Sequence, residues 1–186
     1  MFRLLDLARR FAKDCAAVAS IEFAMIAPMM LIVFFGTVEA TNLMTAKRRV
    51  TNSAATAADI TAQATEIFDG DVTEIFNAVS SVMAPFDATN TEIVITSVRS
   101  DIATGAVTVH WSEAMNASAY APGAAFNLPA GLIQLGSSVI VGEVRYTHRS
   151  PLSQYVLGDL NLEDTFYMRP RRANVVRRCT TPENCI

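Results

Sequence analysis

Residues 15–38 form one apolar run, CAAVASIEFAMIAPMMLIVFFGTV, and a single carboxylate interrupts it, Glu22. A helix of that length crosses a bilayer core of roughly 30 Å. An acid inside such a helix is costly, so it usually has a partner and a purpose. The run divides the 186 residues into a basic leader, 1–14, a membrane-spanning helix, 15–38, and a small domain, 39–186. The net charge of −3 is mild and points to no strongly acidic or basic partner.

A cleaved secretory signal is the competing reading. Arg3, Arg9, Arg10 and Lys13 precede the run, and Val38-Glu39-Ala40 is a passable small-residue cleavage site. Against it, the run is longer than a usual signal core, and Glu22 and Pro28 lie inside it. A retained helix with protein neighbours tolerates both. Phe23, Ile26, Leu31, Ile32, Val33, Phe34, Phe35 and Val38 together favour insertion by about 2 to 5 kcal/mol. A central charge would cancel roughly 3 kcal/mol of this. Glu22 lies about two turns in from the basic end, where the cost is smaller.

Basic residues flank the run on both sides, since Lys47, Arg48 and Arg49 follow it, so their count alone nearly balances. The cysteines settle the orientation carried forward. Cys179 and Cys185 stand in CTTPENC, where Pro182 favours a turn that brings the thiols together. Such a pair needs an oxidising compartment; three reduced cysteines are the alternative. An N-terminus inside and a domain outside follows, with Cys15 as the odd thiol.

From Glu39 to about Ala64 the chain has no Gly or Pro and is rich in alanine, the best helix former. Leu43, Ala46, Val50, Ala54, Ala57 and Ala58 recur at helical spacing, which predicts a helix continuing over 39–65. Within the run, Ala16, Ser20, Ala24 and Ala27 form a small-residue stripe of the kind that lets helices approach closely. Plain alanine abundance explains the stripe equally simply. Lateral packing is favoured because Glu22, taken to lie beside the stripe, needs a partner.

The segment VASIEFAMIAPMMLIVFFGTVEATNLMTAKRRVTNSAATAAD resembles the N-terminal signature of TadE/TadG-like proteins of the bacterial tight-adherence (Tad, or Flp) pilus system. The matching elements are the basic start, Glu22-Phe23, Ala27-Pro28, the apolar run, Gly36, Glu39, Arg49-Val50 and the alanine-rich helix. They cover about a quarter of the chain. The resemblance implies a single-pass inner-membrane protein with a periplasmic domain, acting as a pseudopilin or minor component in pilus assembly. It implies partners among other Tad pilus or secretion components, inner-membrane lipid and a prepilin peptidase. The peptidase cut would fall between Ala17 and Val18, although Ala17 stands where pseudopilins carry glycine. It also implies that Glu22, Phe23 and Pro28 serve assembly within the membrane, Glu22 by neutralising a neighbour's new amino terminus. Opposite charges otherwise unpaired in low dielectric attract strongly.

Beyond the long helix, Asp69-Gly70-Asp71 breaks the chain, and Asp71 with Glu74 reads as an N-cap arrangement. Ile75, Phe76, Val79, Val82 and Met83 mark an amphipathic helix over 72–83. Alternating, β-branched segments predict strands over 91–100, 106–112, 137–148 and 165–169. In the second of these, Val107, Val109 and Trp111 are assigned to one face and His110 to the other. Helices first and strands after argue for an α+β fold, with an antiparallel sheet against the helical face. The general plan is pilin-like by analogy.

The sequence carries no recognisable catalytic or metal-binding pattern. The histidines, His110 and His148, have no zinc spacing, and both read as solvated or sheet-surface residues. No phosphate-cradling glycine loop or nucleophile elbow occurs. The expectation is a chain that is not an enzyme, takes no cofactor and binds no nucleic acid. Arg169, Arg171, Arg172, Arg177 and Arg178 could meet lipid head groups or an acidic partner; a solvated edge that discourages strand pairing is equally consistent. A membrane-anchored binding or sensing module is the alternative function.

Overall fold

The computed structural model describes residues 15–150 and 158–186, with side chains from Val18 onward. The leader 1–14, Pro151, and the side chains of Cys15, Ala16 and Ala17 lie outside the described residues. A long apolar N-terminal helix leads into a small domain with an antiparallel sheet, so the fold class is α+β. Helix α1 spans Cys15–Gln63 without a break. The chain divides into two compact units, Met1–Asn42 and Leu43–Ile186.

In the second unit, α1 is followed by a short strand β1 (Glu66–Ile67) and helix α2 (Asp69–Val82). Then come β2 (Thr91–Ser100), β3 (Val107–Met115), β4 (Ser138–His148), β5 (Leu160–Met168), β6 (Arg177–Thr181) and β7 (Asn184–Cys185). The four long strands form one antiparallel sheet in the order β3-β2-β4-β5. β5 starts five residues earlier than the pattern predicts. Its exposed alternate positions weaken the apolar signal of an edge strand.

One face of this sheet carries the main core. Ile93, Ile95, Trp111, Ile140, Val144 and Tyr146 pack with the helical side chains Ala46, Val50, Ala54, Ala57, Ala58 and Ala62 of α1. Ile75, Phe76, Val79 and Met83 join them around α2. Each fully buried aliphatic side chain of this set contributes on the order of 1.5 to 3 kcal/mol. The alanines contribute less area but permit close approach. A Cβ built on Gly142 of β4 would lie 2.6 Å from the Ala54 carbonyl oxygen and 3.1 Å from the Ala58 nitrogen. Glycine is therefore required where α1 presses on β4.

The opposite face is half covered. Val98, Val109, Val139 and Val141 form a second cluster, over which the 116–137 loop lays Phe126, Leu128 and Ile133. The loop is pinned to β3 by backbone bonds, among them Val109 N–H to Ala124 O at 2.9 Å and Phe126 N–H to Val107 O at 3.0 Å.

Two readings of local structure need correction. Val109 and Trp111 are not on one face. Ser97 pairs with Trp111 and Val98 with Val109, so His110 is an extra residue in a bulge. The bulge resets the alternation and sends Val107 and Val109 to the loop side and Trp111 to the helix side. Asp71 is not the N-cap of α2 either. The helix begins at Asp69, and the Asp71 carboxylate accepts the Phe68 backbone N–H at 2.8 Å from inside the first turn. That is the reciprocal half of a capping box.

The tail forms a sheet the sequence does not announce. β1, β6 and β7 lie side by side, with β1–β6 parallel and β6–β7 antiparallel. Cys179 and Cys185 are joined in a disulfide across β6–β7. Trp111 Nε1–H donates to Val176 O at 2.7 Å and holds the tail against the sheet. The Arg171 N–H donates to Ala62 O at 2.9 Å, satisfying a carbonyl in the last turn of α1.

Candidate functional site

In the first unit the sequence-selected residues all lie on α1. Val18, Ile21, Phe23, Met25, Ile26, Met29 and the run from Met30 to Phe35 are exposed around the whole circumference. Such a helix, apolar on every side and left uncovered by the described residues, is compatible with a single-pass membrane anchor. Its hydroxyls are satisfied locally. Thr37 donates to Val33 O and Thr41 to Thr37 O, both at 2.8 Å. Pro28 sits inside the helix and leaves the Ala24 carbonyl without its usual N–H donor.

The unbroken helix decides the placement of Glu22. At about 100° per residue, Ser20, Ala24 and Ala27 share one narrow face. Glu22 lies about 200° from Ser20 and faces away from that stripe. The sequence reading that set the acid beside the stripe is thus corrected. Glu22 shares its face with Val18, Ala19, Met25 and Ile26, one turn to either side. Stripe and acid offer two separate faces to neighbours.

In the second unit four of the five tail arginines have partners within the domain, and Arg172 is exposed. Arg177 pairs with Glu66, and Arg171 with Asp59 at 2.5 Å. Arg178, with a side chain only 12% exposed, reaches Asp69, Glu113 at 2.7 Å and its neighbour's carbonyl, Cys179 O, at 2.7 Å. Arg169 donates to the Leu132 carbonyl at 3.2 Å. The group therefore ties the tail to α1, α2, β1 and β3, a role that neither reading of the sequence assigned to it. Lys47 and Arg49 are likewise engaged, Lys47 with Asp164 at 3.1 Å and Arg49 with the Val82 carbonyl at 3.3 Å. Burial alone would raise the Asp164 carboxyl, but hydrogen bonds from Thr51 and Lys47 outweigh it and hold the group below the usual range.

His148 is neither solvated nor on the sheet surface. His148 is 4% exposed and lies beside Phe86 and Tyr146, with ring centroids 6.2 Å away in both cases. His110 is half-buried at the bulge, where burial and then the Arg99 charge depress its proton affinity.

An open basin of about 550 Å³ lies on the uncovered half of the sheet, lined by Glu92, Glu143, Arg145, Glu163, Thr165 and Tyr167 among others. Arg145 bridges Glu92 at 3.2 Å and Glu163 at 3.3 Å. Tyr120 O–H donates to Glu143 at 3.3 Å, and burial pushes the Glu143 carboxyl up. These are structural pairings around a shallow polar surface. Glu66, Cys179 and Cys185 also lie close together, but both sulfurs are spent in the disulfide and are poor metal ligands in that state.

Searches among curated proteins and among solved structures found no match. A family model described as TadE-like protein matches residues 17–59. The match begins ahead of Glu22 and ends inside the alanine-rich part of α1, covering the signature residues from Glu22 to Val50 but not the basic start. Residues 17–59 of this chain are a TadE-like segment.

Proposed function

We propose that this chain is a membrane-anchored pseudopilin or minor component in the biogenesis of a Tad-type pilus, and that it catalyses nothing. The observation that carries the reading is the TadE-like match on a helix that is apolar around its whole circumference. A TadE-like segment implies a part in Tad pilus assembly, with other Tad components as partners. The run 15–38 spans the inner membrane, the leader is cytoplasmic and the α+β domain is periplasmic. Lateral helix packing supplies the mechanism. The Ser20–Ala24–Ala27 face admits a close neighbour, and Glu22 on the other side takes a cation from a second one.

The test combines fractionation with a deletion. The protein is expected in the membrane pellet after carbonate washing, and the deletion strain is expected to lack pili. A carbonate-soluble chain overturns the anchor. Normal piliation with a lost envelope response would instead assign a sensing module. The mass of the purified protein's N-terminal peptide decides processing: a peptide starting at Val18 marks the peptidase cut, and a retained Cys15 excludes it.

A further inference from the structure

Three groups with metal-binding chemistry converge at the tail sheet. The Glu66 carboxylate and the sulfurs of Cys179 and Cys185 lie within 4.8 Å of one another. Glu66 comes from β1, and the two cysteines come from β6 and β7. In a tetrahedral zinc site with bonds of about 2.0 to 2.3 Å, neighbouring ligands sit about 3.3 to 3.8 Å apart. The carboxylate therefore needs to close by about 1 Å to complete such a set, and water fills the fourth position.

The disulfide is not the only tie that assembles these groups. β6 pairs with β1, and the Arg177 N–H donates to Thr65 O at 3.1 Å. Arg178 and Ile186 exchange two backbone hydrogen bonds, at 3.0 and 2.8 Å. These bonds keep β1, β6 and β7 side by side when the S–S bond is opened. Arg177 donates to Oε1 of Glu66, and Oε2 has no donor among the described residues. Arg177 and Arg178 immediately precede Cys179, and Arg178 donates to the Cys179 carbonyl at 2.7 Å. Guanidinium charge at this distance favours the thiolate, the form of cysteine that binds metal. Cys179 is fully buried, and Cys185 is partly exposed, which gives a reductant and an ion one side of approach.

We propose that Glu66, Cys179 and Cys185 form a binding site for a thiophilic divalent cation such as zinc in the chain whose disulfide is reduced. A dithiol supplies two electrons and two protons, breaks the S–S bond to leave two thiols, and closes to its own disulfide. Binding of the ion then expels both thiol protons and forms two metal–sulfur bonds. Disulfide and ion are thus alternative ties for the same three strands. The site needs only the fold of the second unit and does not depend on a pilus.

The experiment uses the full chain in detergent micelles, with Cys15→Ser throughout so that the two tail thiols are the only ones. The chain is reduced with a dithiol, which is then removed under argon, and zinc is titrated against a chromogenic chelator. One zinc per reduced chain is expected, and none per oxidised chain. Glu66→Gln is expected to weaken binding at least tenfold. Glu66→His also loses the Arg177 pair but supplies a nitrogen ligand, and it is expected to bind at least tenfold more tightly than the glutamine variant. Trp111, the chain's one tryptophan, is 2% exposed and reports folding by its emission. Glu66→Ser asks the same question if the glutamine variant loses that emission. A reduced chain that takes up no zinc overturns the proposal. Zinc binding indifferent to the loss of the Glu66 carboxylate overturns it too, as adventitious capture by two thiols, and so does a histidine variant no tighter than the glutamine one.

Discussion

Arg178 joins three elements through one guanidinium, meeting Asp69 of α2, Glu113 of β3 and the carbonyl of the residue after it in β6. Charge-assisted bonds of this kind are stronger than neutral ones, and little solvent competes with a side chain 12% exposed. Glu143 shows the opposite balance. Its Oε2 is buried without a donor among the described residues, while Oε1 takes the Tyr120 hydroxyl. Because burial raises this carboxyl in the fold, the folded chain holds the proton more tightly than the unfolded one. The contribution of this one group is therefore fully present below the unfolded carboxylate range and is lost as pH rises through its folded value. Glu143→Gln is therefore expected to raise stability at pH 7 by about 1 kcal/mol, the scale of one unmet buried polar atom. The gain should vanish below about pH 4. Urea midpoints followed by Trp111 emission at the two pH values check this. The Arg178 ion pairs were not visible in the sequence, because they join residues 65 and 109 positions apart and depend on the folded path.

At the scale of elements, α1 was legible because its signals agree along its length. Alanine propensity, helical spacing and the absence of Gly and Pro after Gly36 all predict the helix seen. β2 and β4 were equally clear, with alternation and β-branched residues over whole strands. β6 and β7 were not, since five- and two-residue strands carry too few positions for a period to show. The bulge at His110 was also hidden, because one inserted residue leaves the apolar count unchanged while exchanging the faces. The contact of α1 with β4 makes its own prediction. Gly142→Ala forces a methyl against backbone atoms of Ala54 and Ala58, which cannot rotate away. A loss of about 1 to 3 kcal/mol is expected, read from the urea midpoint. At Gly36 a Cβ meets nothing within 4 Å, so Gly36→Ala should not destabilise.

At the scale of the molecule, the apolar segment and the domain follow different physical rules. The first exposes large apolar side chains on every face, and the second buries them between helices and sheet. The proposed role in pilus assembly is tested at Glu22. Glu22→Gln is expected to reduce piliation severalfold, at the 1 to 2 kcal/mol typical of an intramembrane polar contact, with the protein level unchanged. Piliation counts and immunoblots on the same cells check it, and unaltered piliation would remove the acid from the mechanism. The sequence by itself determined the long apolar helix, the α+β class and the TadE-like signature, because each is written in neighbouring residues. Only the tertiary structure decided that Arg169, Arg171, Arg177 and Arg178 are internal ties, that Trp111 faces the helices, and that Asp164 is clamped by Lys47. These rest on distances between residues far apart in the chain, which local periodicity does not encode.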